Sequence, residues 1–428
     1  MKVSITSFGC KINQFDSAAL REALVRGGAS LADAGEHADV YVVNTCTVTK
    51  KSDDQCRQAI RRAIKEKGEG GIVVVSGCYA SANPDAVRSI PGVDFVVGRE
   101  GRDGIPGLIL GNRTATQAAT VEDGVLGLPA GLTAQAVGRA RAFLKVQEGC
   151  DSFCSYCVVP YARGVPISAP LENVLEVVDR LIAEGFHEIV LTGVHLGAYG
   201  RDLPGGVKLH NLVRAILERP GLGRLRISST EPMEFDAGMM ELLGEEKLCR
   251  HYHVPLQSGD DHVLASMGRG YTTAEYFKVV DELDRRSPGA RLGADVIVGY
   301  PTEDDASFEE TYRRIEGSPL NHLHVFTFSP RQGTRAYEMG DPVPGEVKKA
   351  RSVRLRELWH KKDMVLSSAH VGSKLTVVVE DKYGVISGLT DNYIRVSIDG
   401  EGAELRPGSA VEVKITAATN DGCTGVLA

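Results

Sequence analysis

Apolar positions in the first hundred residues fall into short continuous runs separated by amphipathic stretches. KVSITSFG, ADVYVVN, GIVVVSG and DFVVG read as buried strands, and NQFDSAALREALVRGG and KSDDQCRQAIRRAIKEKG read as helices between them. Strands buried on both faces and joined by helices define a parallel α/β sheet. A second series follows: RAFLKVQEG, EIVLTG, RLRISS, HYHVPLQ, GADVIVGY and HLHVFTFS, again with helical segments between. Six such units predict a partial (β/α)6 barrel with its active site at the strands' C-terminal ends. A charged helical stretch spans about residues 345–368. Beyond it, KLTVVVEDKYGVISGLTDNYIRVSIDG and SAVEVKITAATNDGCTGVLA alternate polar and apolar residues around Gly, Asp and Asn turns, which predicts a small antiparallel β-barrel. The expected α/β architecture is an N-terminal domain over 1–110, a Gly/Ala/Thr-rich linker over 111–137, a barrel over 138–366 and a β-domain over 367–428.

Composition narrows the function. With 428 residues, 43% hydrophobic and 25% charged, the chain has the make-up of a multidomain globular protein. No apolar run approaches the roughly 18 residues of a membrane span, so no membrane partner is expected. The opening MKVSITSFGC reads as a first strand rather than a signal peptide, and a cytoplasmic location is the expectation. A net charge of -7 argues against a generic nucleic-acid binder, although local basic patches stay possible. The nine cysteines are too unevenly spaced for a small disulfide scaffold; clustered as they are, they favour metal binding or catalysis.

The densest cluster is QEGCDSFCSYC, in which Cys150, Cys154 and Cys157 form C-x3-C-x2-C directly after a predicted strand. A closed zinc site needs four ligands, and a [4Fe–4S] cluster usually takes four cysteines. No fourth cysteine is near in sequence. Either an iron keeps an open position or a remote ligand completes the set.

LKVQEGCDSFCSYCVVPYARG resembles the radical S-adenosylmethionine (SAM) signature in its methylthiotransferase form. The resemblance extends along nearly the whole chain and makes the last domain TRAM-like, a type of RNA-binding β-barrel. It implies a [4Fe–4S] cluster on Cys150, Cys154 and Cys157 whose open iron binds SAM, cleaved by electron transfer to a 5′-deoxyadenosyl radical. It implies a second, auxiliary [4Fe–4S] cluster on Cys10, Cys46 and Cys78, within GCKIN, NTCTVT and SGCYA. Each of these cysteines ends a predicted strand, and parallel strands place such ends along one edge. Segments similar to those lining the family's SAM and substrate pocket nominate Tyr156, Thr192, Gly193, Ser229, Glu231, Gln257 and Val298. His195, Ser258 and Asp295 belong to the same strand ends. GYPTED departs from the family's usual GxPGET and leaves Glu303 without a role; SMGRGYT keeps Arg269 but lacks the neighbouring basic residues often found there.

Three branches share this layout, acting on isopentenyladenosine in tRNA, threonylcarbamoyladenosine in tRNA, or an aspartate of a ribosomal protein. FGCKINQFDS, IPGVDFVVG and TDNYIRV look most like the threonylcarbamoyladenosine branch. The implied partners are tRNA, modified at position 37, an external electron donor and a sulfur donor. A non-catalytic iron–sulfur RNA-binding protein is the alternative from another class.

Other residues have plainer readings. Cys56 shares a helical face with Ala59, Ile60, Ala63 and Ile64, the spacing of packing; Cys249 and Cys423 lack partner motifs, and all three are expected to be structural. His251/His253 and His322/His324 each share a strand face, with a hydrogen-bonded role preferred over metal binding. Arg57, Arg61, Arg62 and Lys65, and the basic residues Arg351, Arg354, Arg356, Lys361 and Lys362, are either a solvated face or an RNA-backbone contact.

Overall fold

The computed structural model describes residues 1–33, 35–99, 101–111, 126, 128, 140–382, 385–399 and 405–428. The linker expected over 111–137 lies almost wholly outside the described residues.

The N-terminal sheet has strands β1 (Lys2–Ser7), β2 (Ser30–Leu31), β3 (Val40–Thr45), β4 (Ile72–Gly77) and β5 (Phe95–Val97). Their order is β2-β1-β3-β4-β5, parallel throughout. VYVVNT and IVVVSG, the two most continuous apolar runs, are central because helices cover both faces there. The two long helices on this sheet are α1 (Lys11–Arg26) and α2 (Lys50–Glu66), the latter capped by the Thr49 side chain on the Ser52 N–H. The short exposed strand β2 went unforeseen, since two residues carry no periodicity.

Six parallel strands form the second domain: β6 (Ala142–Glu148), β8 (Glu188–Gly193), β9 (Arg224–Ile227), β10 (His251–His253), β11 (Arg291–Val298) and β12 (His322–Thr327). A two-residue antiparallel strand, β7 (Ile167–Ser168), edges β6. The ladder runs β7-β6-β8-β9, parts, and resumes as β10-β11-β12. Across the gap, Leu225 donates to Lys247, Cys249 to Leu225 and Thr230 to His253, at 2.7, 2.8 and 3.0 Å. HYHVPLQ was expected to be a strand throughout but is one only to His253. Pro255 has no N–H for a ladder, and Gln257 has φ 67°, so pairing returns as a single bridge from Gln257 to Val296. Leu225, Tyr252, Leu292, Ala294 and Val296 face outward into one core beneath the helices; the alternate positions face the lumen.

The long helix Gly345–Ser368 crosses from β11 and β12 to a closed five-strand barrel, β13 (Lys374–Lys382), β14 (Val385–Leu389), β15 (Arg395–Asp399), β16 (Ala410–Thr419) and β17 (Gly422–Leu427). Its strand order is β13-β14-β15-β17-β16. It is antiparallel except at β15 and β17, whose parallel pairing closes it. Most of the helix's named basic residues are committed internally, while Lys361 is exposed and carries no ion pair among the described residues. Arg351 pairs with Glu303 and Asp305, Arg354 with Glu309, and Lys362 caps the carbonyls of Glu316 and Ser318.

The C-terminal barrel closes the N-terminal end of the larger one. Arg226, fully buried, bonds Glu188 and the carbonyls of Thr390 and Asp391; Arg224 bonds Glu188 and the carbonyl of Leu389. Tyr393, at φ 61°, stacks on His251 with centroids 4.4 Å apart.

Candidate active site

Register brings the first three cysteines together. Thr45 pairs with Gly77 and Ser7 with Asn44, so Cys46 and Cys78 each stand one residue past a paired position and Cys10 opens α1 beside them. A Cβ on Gly9 would lie 2.7 Å from the Cys46 Sγ, which fixes how closely these loops approach. Cys78 begins α3 (Cys78–Ala82) rather than ending a strand. Asn13 ties the loops together, donating to the carbonyls of Phe8 and Thr45 at 2.7 and 2.9 Å.

The second set lies on the loop after β6. Cys157 N–H donates to the Cys154 carbonyl at 2.9 Å and Cys150 N–H to the Gly164 carbonyl at 2.9 Å, curling the loop over the barrel mouth. Phe153 holds φ 43° within it. All nine cysteines are free thiols. Cys249 is buried in the barrel wall beside Leu225, and Cys423 in the C-terminal core. Neither can serve as a remote fourth ligand.

Cys56 is also buried, but its thiol accepts from the Cys46 N–H at 3.3 Å and donates to the Cys46 carbonyl at 3.4 Å. Burial pushes this thiol up to about 12, so it stays protonated. It is a brace for the Cys46 backbone, a role beyond the packing expected of it.

Each set has cationic neighbours. Arg163, in the short helix Val159–Arg163, donates Nε–H to the Cys78 Sγ at 3.2 Å and also bonds Glu148 and Asn13. Arg269 donates to the Cys154 Sγ at 3.2 Å and pairs with Glu231. His195 Nδ1 lies 3.6 Å from the Cys150 Sγ, with Nε2 2.6 Å from Glu234. Around Arg163, the buried acids Asp16 and Glu148 share Arg102 and Lys145; burial opposes ionisation of Glu148, yet Lys145 and the two arginines hold it far below the carboxylate range. Two open-ended sets of three thiols, with donors aimed at the sulfurs, fit two [4Fe–4S] clusters. Thiolates on such a cluster bind different irons and need not touch one another.

Between the sets is a cleft of about 200 Å3, lined by Val48 and Thr49 from one side and Tyr156, Cys157, Gln257 and Asp295 from the other. Arg331 spans the same seam, donating to Thr47 and Asp53, both at 2.6 Å. Glu231 is carried above the ordinary carboxylate range by burial despite Arg269. Thr192 is buried at the end of β8 with its Oγ1 unpartnered, beside Gly193. Ser229 is exposed, whereas its neighbour Ser228 is buried with an unpartnered Oγ. Val298 departs from expectation: its side chain lies in the core, so Ile297 forms the cleft wall at that height and only Val298 backbone is available to a ligand. Glu303 braces the turn after β11 through the Gly299 N–H and Arg351, and burial pushes its carboxyl up to about 6.

The histidines meet across strands as well as within one pair, His322 Nε2 lying 3.2 Å from His324 Nε2. His253 and His324 each bond the same Asp295 oxygen, at 2.9 and 3.1 Å. Of the basic residues on α2, Arg57 pairs with Asp54 and bonds Tyr79, and Arg62 lies 3.6 Å from Glu66; Arg61 and Lys65 are exposed and carry no ion pair among the described residues. Sequence reasoning passed over Arg163 and Glu234. The only signal for Arg163 was its place in YARG, just after the last cysteine of the second set.

A barrel of parallel strands with three cysteines after its first strand defines the radical SAM class, and residues 144–315 match the Radical SAM superfamily. Residues 2–98 match Uncharacterized protein family UPF0004. Among solved structures, the radical SAM methyltransferase TsrM from Kitasatospora setae shares this fold, with a TM-score of 0.58 and 18% identity over 76% of this chain and 72% of that one. Curated relatives are closer. Threonylcarbamoyladenosine tRNA methylthiotransferase MtaB of Aquifex aeolicus is 37% identical over 94% of this chain and 97% of its own length. The Bacillus subtilis protein of that name is 36% identical, covering 96% and 93%. A tRNA-2-methylthio-N(6)-dimethylallyladenosine synthase of Alkalilimnicola ehrlichii is 34% identical, covering 100% and 97%. The chain belongs to the radical SAM methylthiotransferase family.

Proposed function

We propose that this protein adds a methylthio group to carbon 2 of N6-threonylcarbamoyladenosine at position 37 of tRNA. Cys150, Cys154 and Cys157 would hold the [4Fe–4S] cluster that binds SAM, and Cys10, Cys46 and Cys78 the auxiliary cluster. Bound, these groups supply reductive cleavage of SAM to a carbon radical and delivery of sulfur, chemistry that no side chain can perform on an unactivated C–H bond. The observation that carries the reading is that the two three-cysteine sets flank one seam between domains: Cys157 lines a cleft with Val48 and Thr49, which follow Cys46, and Arg163 bridges from the second loop to Cys78 of the first.

The chain's own residues orient and shield. Tyr156 and Gln257 line the cleft beside the second set, and Glu231 shares a neighbouring recess with Cys154, where Arg269 pairs with it; with Thr192 and Gly193 at the end of β8 these residues would border SAM. Gln257 is held in a left-handed conformation that a non-glycine residue adopts only under constraint, as expected of a ligand clamp. Val158, Ile297, Phe326 and Phe328 make the cleft wall apolar and keep water from a reactive centre. At the rim, Phe153 and Tyr161 are exposed and meet edge-on at 5.7 Å, an arrangement suited to stacking an extruded base. Exposed Arg61 and Lys65 supply phosphate contacts, and the domain from 367 a further RNA-binding unit; the electron and sulfur donors are external. Among the described residues no helix is long and apolar enough to cross a membrane.

The test is mass spectrometry of tRNA nucleosides from cells lacking and regaining the gene. Loss and return of the methylthio form of threonylcarbamoyladenosine is expected; loss of methylthio-isopentenyladenosine would assign the other branch. Anaerobically reconstituted protein should also release 5′-deoxyadenosine from SAM, and iron loading without SAM cleavage would return the non-catalytic alternative.

A further inference from the structure

Three strands of the larger barrel bring imidazoles to one carboxylate. Asp295 on β11 pairs with His324 on β12, and Gly293, two residues earlier, lies between His253 on β10 and His322 on β12. Paired positions and positions two apart share a face of the sheet, here the luminal one. Gly293 leaves the room for this, because a Cβ there would lie 2.6 Å from His253 Nδ1. His253 and His324 both donate to Asp295 Oδ1, at 2.9 and 3.1 Å, with their rings 4.8 Å apart.

The direction of these bonds is fixed from one end. Arg291 can only donate, so His322 Nδ1, 3.0 Å from its guanidinium, accepts. His322 then carries its one proton on Nε2 and donates it to His324 Nε2 at 3.2 Å. That leaves the His324 proton on Nδ1, aimed at Asp295. Arg291 is held in turn by Asp363 of the long helix, and His322 packs edge-on against Trp359 of that helix, centroids 5.1 Å apart. The relay ends at one oxygen. Asp295 Oδ2 has no partner among the described residues, and the side chain, 25% exposed, lines the cleft between the two cysteine sets. Burial opposes its ionisation, but His253 and His324 hold the carboxyl far below the ordinary range. A carboxylate with two donors on one oxygen and none on the other is an oriented acceptor for a ligand's N–H or O–H.

We infer that Asp295 Oδ2 accepts a hydrogen bond from N6–H of the target adenine, and that His253 and the Arg291–His322–His324 relay hold the carboxylate for that contact. This rests on the reading that an N6-substituted adenine in tRNA is the target, whichever substituent it carries. Such a base has to lie between the cysteine sets, since one acts on its carbon 2 and the other supplies the sulfur. The cleft there has Val48 and Thr49 on one side and Cys157 on the other. Its apolar walls, Ile297, Phe326 and Phe328, suit the flat faces of a purine. The ring nitrogens of an N6-substituted adenine only accept, and its N–H groups lie at N6 or in the substituent. An acceptor that cannot donate therefore selects the N6 edge. Carbon 2 is across N1 from that edge, which leaves it free to face the cysteines.

The experiment measures binding of two anticodon stem-loops to the cluster-loaded, SAM-bound protein. One carries N6-threonylcarbamoyladenosine and the other its N6-methyl derivative, which lacks the N6 hydrogen. Wild type should prefer the first by about tenfold or more, the worth of a hydrogen bond to a charged group. In Asp295→Asn the amide oxygen stays with the two histidines, so the NH2 group takes the place of Oδ2 and offers a donor where an acceptor stood. That variant should bind the first stem-loop about tenfold more weakly than wild type and lose most of the preference, whereas a steric effect of the methyl group would be equal in both proteins. His324→Leu, which removes one of the two donors from Oδ1, should reduce the preference by a smaller factor. Equal wild-type affinity for the two stem-loops, or the wild-type preference retained in Asp295→Asn, would overturn the inference. So would weaker binding of SAM by Asp295→Asn in the absence of RNA, which would put the partner of Oδ2 on SAM. A metal ion other than iron, bound to wild type and absent from Asp295→Asn, would overturn it too, by making His253, Asp295 and His324 its ligands. The substrate reading fails separately, if wild type forms no methylthio product from adenosine carrying either substituent.

Discussion

Arg163 is the residue on which the two halves of the site meet. It is buried, and its guanidinium is divided among the Cys78 sulfur, Glu148 and Asn13. Replacing it with methionine keeps the bulk but leaves Glu148 and Asp16 with one cation fewer in a dry environment. Breaking a buried ion pair from one side costs about 3–5 kcal/mol. Arg163→Met should lower unfolding free energy by that order and reduce iron at the first cysteine set more than at the second; urea unfolding and iron analysis check both. Cys46 and Cys56 offer a finer contrast, because they share hydrogen bonds but not a role. Cys56→Ala removes a small buried group and a weak bond, for about 1–2 kcal/mol. It should keep both clusters, whereas Cys46→Ala should lose the auxiliary one and still cleave SAM. Equal iron loss in the two would place Cys56 among the ligands. Cys56 was separable from Cys46 in the sequence because helix periodicity assigned it to a packed stripe. Its bonds back to Cys46 were not, since they depend on how the β3–α2 loop folds over.

At the level of elements, what the sequence disclosed followed local pattern. GIVVVSG and ADVYVVN are strands because nothing but a doubly covered sheet buries such runs, and the cysteines after them inherit their positions from the register. β10 was overextended because apolar continuity hid the effect of Pro255 and the backbone turn at Gln257. The helix read from Asn13 opens two residues earlier, at Lys11, and its packing on β6 and β8 of the other domain had no local signal in the sequence. Gly77 tests how tightly an element end sets the site. It holds φ 93°, and a Cβ would lie 2.4 Å from Asn44 Oδ1 and the Thr45 carbonyl. Gly77→Ala should cost about 1–3 kcal/mol from backbone strain alone, and more through displacement of β3. The next residue is Cys78, so iron at that set should fall as well. Gly28→Ala, at φ 90° with nothing within 4 Å, should incur only the conformational cost and keep its iron.

Across the whole molecule, the active barrel is covered at both ends. The N-terminal sheet edge meets its mouth, and the C-terminal barrel closes its base through Arg224, Arg226 and Tyr393. The basal seam depends on one carboxylate. Glu188 is fully buried, and although burial opposes its ionisation, Arg226 and Arg224 hold its pKa far below the ordinary value of 4.5. A carboxyl depressed in the folded state stabilises it fully above the unfolded pKa, and that contribution is lost as pH falls below it. Stability should therefore hold from neutrality to about pH 5 and decline as Glu188 takes up a proton at lower pH. Glu188→Gln keeps the shape and removes the charge, leaving three arginines around a neutral amide; it should cost about 3–5 kcal/mol at pH 7. Its deficit relative to wild type should shrink as both are acidified, because wild type loses there what the variant never had. Urea midpoints of the two proteins between pH 7 and pH 3 measure this directly, and a deficit constant with pH would mean that the arginines are held by the carbonyls of Leu389, Thr390 and Asp391 rather than by Glu188. If the seam weakens as expected, Tyr393 should also leave the His251 face, and the base of the lumen around Arg226 should open to water.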